Sequence, residues 1–146
     1  MIRFVRRWRG AADHLDYGRA EIGVWGEQVA ENHLLKKHYK ILGRRVRVGP
    51  RDELDLIARS PQDVLVFVEV KTRADERHGR PFAAVDARKR RALSRAAWRY
   101  LKRLHPRPRY FRFDVVEVIG GPGSADPVVR HIEAGFSMMG RKRWGF

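Results

Sequence analysis

Three charged side chains interrupt two of the most apolar segments of this chain, and their types suit phosphodiester chemistry. Asp55 lies within "ELDLIAR", and Glu69 and Lys71 lie near the end of the valine-rich segment "DVLVFVEVKTR". If the two segments form a hairpin whose turn centres on Gln62, Asp55 and Glu69 lie opposite each other, with Cβ atoms about 4.5–5.5 Å apart. Two carboxylates that close repel each other unless a cation lies between them.

A pair of hard carboxylate ligands suits Mg²⁺, which proteins hold through one or two carboxylates together with water and substrate phosphate. Such a metal polarises a phosphate oxygen and lowers the pKa of a bound water. Lys71, on the same strand face as Glu69, can orient that water or offset the charge of the transition state. The pattern therefore allows two interpretations, a metal site for phosphodiester hydrolysis and a carboxylate–lysine salt bridge at the rim of a sheet.

Two further charged residues interrupt the apolar faces of predicted helices. Glu27 shares a face with Ala30 and Leu34, so either a metal at the sheet neutralises it or it belongs to the solvent side of the helix. Lys89 lies four residues from both Val85 and Leu93 in the inward stripe of a later helix. It either reaches a phosphate near the site or extends past the core into solvent.

The segments that must position these residues are predicted from hydrophobic periodicity and turn residues. Helices are expected over about Ala20–Lys37 and Val85–Leu104. The second and third strands form an antiparallel hairpin through the turn "SPQD". The predicted strands are "KILGRRVRV", Glu53–Arg59, "VLVFVEVK", "YFRFDVVEVI" and "VVRHIEA". In the fourth strand, Asp114 is expected to pair with Arg112, and the six histidines, which show no ligand spacing, are expected at the surface.

Charge is the strongest global signal. The 146 residues contain 32 Lys and Arg against 17 Asp and Glu, a formal net charge of +15 at pH 7. A domain this basic is expected to bind a polyanion, and nucleic acid, with DNA as the preferred type, is favoured over a membrane surface. Lys89, Arg88, Arg91 and Arg73 are the predicted nucleic-acid contacts. The absence of cysteine, signal peptide and membrane-spanning segment favours a cytoplasmic protein.

The motifs "GEQVAENHLLKKHYKIL", "DELDLIA", "VFVEVKTR", "RFDVVEV" and "RHIEAGF", in this order, resemble the YraN family of small bacterial proteins. The resemblance implies a restriction-endonuclease-like PD-(D/E)xK fold, an α/β core in which helices flank a central mixed β-sheet. It places the helix acid of that fold at Glu27, the metal-binding aspartate at Asp55 and the E-x-K pair at Glu69 and Lys71. The domain then covers residues 18–136, between a basic arm (1–17) and a basic tail (137–146).

Two positions depart from the family pattern: Asp52 stands where glycine is usual, and Arg45 where asparagine is common. Neither is an expected metal ligand, so the departures bear on the approach to the site rather than on its chemistry.

The leading hypothesis is a Mg²⁺- or Mn²⁺-dependent endonuclease acting on DNA, branched or single-stranded, with Asp55, Glu69, Glu27 and the Val70 carbonyl as metal ligands. Lys71 handles the nucleophilic water. The rival is a non-catalytic nucleic-acid-binding accessory protein of the same fold in DNA processing or uptake, and charge alone also fits an RNA-binding protein. The similar junction resolvases usually act as dimers, which leaves a homodimer open.

Overall fold

Two helices and five strands follow one another in the order that the sequence predicts. The computed structural model describes residues 17–77 and 85–139, so most of the predicted basic arm and tail lies outside the described residues. The elements are α1 (Arg19–Lys36), β1 (Lys40–Arg47), β2 (Glu53–Arg59), β3 (Leu65–Arg73), α2 (Ala87–Arg103), β4 (Phe111–Ile119) and β5 (Val128–Phe136).

The strands form one mixed sheet in the order β1-β2-β3-β4-β5. β3 and β4 run parallel because α2 connects them as a crossover, and the other neighbours are antiparallel. In the β2–β3 hairpin, Leu56 lies opposite Val68 and Ile57 opposite Phe67. This register confirms a turn centred on Gln62.

The sheet has an apolar core on each face, which explains why β3 is apolar on both sides. On one face, Phe67 and Phe113 pack beneath Leu93 and Leu101 of α2. On the other, Val66 and Val68 pack against the α1 residues Ala30 and Leu34, together with Leu56, Ala58, Val116 and Val118. The predicted α/β class, with a mixed sheet flanked by helices, is confirmed and is consistent with a restriction-endonuclease-like core.

Within the ranges described, no helix is long and apolar enough to cross a membrane.

Candidate active site

Asp55 and Glu69 meet where the regular β2–β3 pairing ends. Counted outward from the hairpin turn, the last paired residues are Leu56 and Val68, and Asp55 and Glu69 are the next residue on each strand. Beyond that point the Asp55 carboxylate accepts a 2.9 Å hydrogen bond from the backbone N–H of Val70. A side chain thus takes the place of a backbone partner at this end of the hairpin, which holds Asp55 beside the strand that carries Glu69.

Glu69 is the most enclosed carboxylate of this group, with only 4% of its surface exposed. Its Oε1 atom receives two ammonium groups, Lys71 Nζ at 3.4 Å and Lys89 Nζ at 3.3 Å. Its Oε2 atom is buried and has no hydrogen-bond partner among the described residues. A buried charged oxygen without a partner costs several kcal/mol, so this atom marks a position where a cation would be stabilising.

The electrostatics of Asp55 point the same way. Burial, followed by repulsion from Glu69, raises the pKa of Asp55 from 3.8 to about 7. The Val70 N–H and Lys89 oppose this rise without cancelling it, and Glu27 adds to it. The negative charge of Asp55 is therefore incompletely balanced by the groups around it.

Glu27 has a protein partner on β1. Arg45 donates two hydrogen bonds to its carboxylate, from Nε to Oε2 at 2.7 Å and from Nη2 to Oε1 at 3.2 Å. The hydrogen bonds and the charge of Glu27 raise the pKa of Arg45, and the charges of Glu53 and Asp55 add smaller contributions. Arg45 thus contacts an expected metal ligand directly, although the sequence pattern connected it only with the approach to the site.

The backbone of β1 explains how Arg45 reaches Glu27. Neighbouring residues of a regular strand point to opposite faces, yet Arg44 pairs with Glu31 of α1 and Arg45 pairs with Glu27. Arg45 adopts a left-handed φ of 46°, which breaks the alternation and lets both arginines face α1. This conformation costs about 1 kcal/mol for a non-glycine residue, and the two-bond ion pair offsets that cost.

Gly26 lets α1 approach β3 closely enough to bring Glu27 to the site. A Cβ atom at Gly26 would overlap the side chain of Thr72, which follows Lys71 on β3. Because Thr72 is β-branched and packed against the helix, it has little freedom to move away. The position therefore requires glycine, and the close approach of α1 to β3 that it allows sets the position of Glu27, the next residue.

Lys89 is positioned by the start of α2. Asp86 caps the helix by accepting a 2.8 Å hydrogen bond from the Lys89 backbone N–H. The first turn of α2 then directs the Lys89 side chain to Glu69. The Lys89 ammonium group pairs with Glu69 at 3.3 Å while 40% of the side chain stays exposed, so Lys89 lies at the rim of the site and both interpretations of it stay open.

The described ranges contain no cluster of three or more His, Cys, Asp or Glu side chains close enough together to hold a metal ion. Mg²⁺ does not require such a cluster, because one or two carboxylates suffice when water and substrate phosphate supply the other ligands. Asp55 and Glu69, with the unpartnered Oε2 atom, fit that type of site. Glu27, already held by Arg45, lies next to it.

The other expected nucleic-acid contacts are distributed differently. Arg88 and Arg91 are exposed on α2. Arg73, by contrast, has only 18% of its side chain exposed, and its guanidinium pairs at 3.1 Å with Glu117, a carboxylate that is 1% exposed. Arg130 also pairs with Glu117, at 3.4 Å. The ion pair with Glu117 thus holds most of the Arg73 side chain away from solvent.

Sequence patterns did not identify several buried charge pairs. The prediction that the histidines lie at the surface is wrong for His131, whose side chain is 2% exposed and lies 2.8 Å from Asp114. The expected pair of Arg112 with Asp114 is present at 2.9 Å, and the backbone N–H of Ala134 donates a further hydrogen bond to Asp114 at 3.0 Å. Asp52 is buried and pairs with Arg95 and Arg99 of α2. None of these partners lies at a sequence spacing that could have identified it, apart from Arg112.

Comparison with known proteins agrees with the motif pattern. A model of the uncharacterised protein family UPF0102 matches residues 26–118. A UPF0102 protein of Symbiobacterium thermophilum is 50% identical over 101 residues, which cover 69% of this chain and 84% of that protein. A UPF0102 protein of Syntrophotalea carbinolica is 41% identical over 131 residues, 86% of this chain and 99% of its own length.

No solved structure matches the chain. The matched family segment contains the helix acid, the β2–β3 hairpin, α2 and nearly all of β4, and the two relatives extend the similarity over most of the chain. The protein therefore belongs to the uncharacterised family UPF0102, the YraN family that its motifs resemble.

Proposed function

We propose that this protein is a Mg²⁺- or Mn²⁺-dependent endonuclease that hydrolyses phosphodiester bonds in DNA. The observation that carries the proposal is the buried Oε2 atom of Glu69, which has no partner in the described structure and belongs to a carboxylate whose charge raises the pKa of Asp55. A fold gains nothing from burying two mutually repelling carboxylates. The arrangement is stabilised when a divalent cation completes it.

Asp55 and Glu69 would hold the metal, the Val70 carbonyl is a further ligand, and Glu27 completes or tunes the site. When bound, the metal supplies a nucleophilic water of lowered pKa and polarises the scissile phosphate. The Val70 N–H bond to Asp55 fixes that carboxylate in one orientation, so little reorganisation is needed on metal binding.

The two lysines divide the remaining work. Both ammonium groups lie within 3.4 Å of the same Glu69 oxygen, one from β3 and one from α2. We assign Lys71 to the attacking water, which it orients by hydrogen bonding. Lys89, on the more exposed side, stabilises the negative charge that develops on the phosphate oxygens during displacement.

A row of basic side chains on α2 gives the site a route to nucleic acid. Its members recur every three or four residues, so they lie on one side of the helix, and all are exposed. The row, called the α2 basic stripe below, consists of Arg88, Arg91, Arg95, Arg99 and Lys102. Such a stripe suits a phosphate backbone, and binding through it weakens steeply with salt as counterions are released.

One observation favours the second candidate, a nucleic-acid-binding accessory protein that does not cut. Lys71 and Lys89 already neutralise one oxygen of Glu69, and Arg45 already neutralises Glu27. A site balanced in this way by its own cations is compatible with binding without catalysis. Titration with Mn²⁺ separates the two candidates, because the accessory protein has no divalent site at Asp55 and Glu69.

The decisive experiment incubates the purified protein and Mn²⁺ with flap, fork, four-way junction, single-stranded and duplex DNA. At least one substrate is expected to be cut, and Asp55→Ala or Lys71→Ala should abolish cutting. Asp126→Ala and Lys36→Ala remove the same charges at exposed positions away from Glu69 and should cut like wild type. Cutting by Asp55→Ala at the wild-type rate, or no cutting of any substrate, would refute the proposal.

A further inference from the structure

A second feature suited to nucleic acid lies at the opposite end of β3 from Lys71. A cleft of about 630 Å³ opens beside Leu65, the first residue of β3, and extends to the end of α2. Its walls come from the β2–β3 turn and from the segment that joins α2 to β4. The lining includes Arg59, Tyr100, Leu104, Arg107, Arg109 and Tyr110.

The lining combines exposed cations with an exposed aromatic ring. Tyr110 is 62% exposed, and the Arg109 guanidinium lies 5.8 Å from the centre of its ring. The described residues provide no carboxylate partner for Arg107 or Arg109, both of which are exposed. Asp63 is the one carboxylate in the lining, and Arg59 pairs with it at 2.9 Å. The cleft therefore has a surplus of positive charge.

The aromatic ring distinguishes a single strand from a duplex. Bases in a duplex are stacked on one another and present only their edges in the grooves, so a protein ring cannot lie against their faces. An unpaired strand offers both base faces and a flexible phosphate backbone. Arginines beside an exposed tyrosine are the combination that binds such a strand without sequence preference.

The cleft and the candidate active site are connected along α2. Leu65 and Glu69 are four residues apart on β3, about 13 Å. Lys89 lies at the site and Leu104 in the cleft, about 22 Å apart along the helix. The α2 basic stripe runs along the same length of α2 on its solvent side. A strand held in the cleft could therefore reach the site within about four to seven nucleotides at the 3.4 Å spacing of stacked bases.

We propose that this cleft binds single-stranded DNA, with Tyr110 stacking on a base and Arg107 and Arg109 contacting phosphates. For the proposed endonuclease, a strand bound in the cleft means that the preferred DNA substrates carry an unpaired arm a few nucleotides from the cut. This statement about the substrate rests on the proposed function. Binding itself requires no metal and no catalysis.

The test measures fluorescence anisotropy of a labelled oligothymidylate with the full chain in EDTA, over a series of salt concentrations. Tyr110→Ala should weaken binding about 5- to 150-fold, the effect of losing one stacked base, whereas Tyr110→Phe keeps the ring and binds like wild type. Arg107→Ala should make the negative slope of log K against log salt shallower by about 0.7, and Arg19→Ala, exposed on α1 outside the cleft, should not. Circular dichroism verifies that each variant is folded.

The outcomes separate this proposal from the endonuclease. If Tyr110→Ala and Arg107→Ala both bind oligothymidylate with wild-type affinity, the proposal that the cleft binds single-stranded DNA is wrong, even if DNA is cut in an Asp55-dependent manner. Tighter binding of oligouridylate than of oligothymidylate overturns the assignment to DNA. Weakened binding in these variants, without cutting of any substrate, supports the cleft and refutes the endonuclease.

Discussion

Replacing Asp55 by asparagine should stabilise the metal-free protein at neutral and alkaline pH. The asparagine side-chain oxygen can still accept the 2.9 Å hydrogen bond from the Val70 N–H. The substitution removes a negative charge that is repelled by Glu69 and disfavoured by burial. A site residue whose removal stabilises the fold is expected where function, not stability, selects the residue.

The size and the pH dependence of the effect follow from the pKa of Asp55. The rise from 3.8 to about 7 corresponds to about 4 kcal/mol at about 1.4 kcal/mol per unit. Because Asp55 is partly exposed, water reduces this upper limit to about 2 kcal/mol. The folded state binds the proton more tightly than the unfolded state. The stability contributed by the protonated group is therefore fully present below pH 3.8 and is lost as pH rises to about 7.

Urea denaturation of wild type and Asp55→Asn across this pH range measures the difference. The two proteins should have equal free energies of unfolding near the acid end, and the variant should be about 2 kcal/mol more stable above about pH 7. Mn²⁺ or Mg²⁺ at about 100 times its dissociation constant should stabilise wild type by about 2.7 kcal/mol and the variant much less.

Two results would refute this reasoning. If Asp55→Asn is less stable than wild type at alkaline pH, the carboxylate is structurally paired and the unbalanced charge does not exist. If divalent metal stabilises both proteins equally, the metal binds elsewhere. Glu21→Gln removes a carboxylate from the exposed first turn of α1 and serves as the matched control, with no comparable rise in stability.

Other substitutions test the remaining parts of the structure. Asp114→Asn should lower the free energy of unfolding by about 3–5 kcal/mol, because Arg112 and His131 lose a fully buried charge partner. In spite of burial, hydrogen bonds from His131 and Arg112 lower the pKa of Asp114. The stabilisation therefore disappears as pH falls through that pKa, which acid denaturation would show. A difference below 1 kcal/mol would contradict it. Gly26→Ala should cost about 1–3 kcal/mol in thermal unfolding and, by displacing Glu27, reduce any cutting activity, whereas Gly23→Ala, which has free space, should do neither.

The sequence by itself determined the framework of the site. Alternating apolar residues on both sides of β3 required a central strand, because only a strand covered on both faces buries both. The short turn around Gln62 fixed the register of the hairpin, and that register placed Asp55 and Glu69 beside each other. These features depend on neighbours within one hairpin, where loop length and side-chain alternation decide the geometry.

Only the tertiary structure decided how the charges around that framework are paired. Glu27 could have faced a metal, solvent or an arginine, and the left-handed backbone at Arg45 decided for the arginine. Lys89 reaches Glu69 because the start of α2 lies over β3, and Arg73 turns to Glu117 because β4 runs parallel to β3. Long charged side chains reach several partners with little difference in local energy. Their choice is therefore made by the packing of distant elements, such as the close approach of α1 to β3 that Gly26 permits.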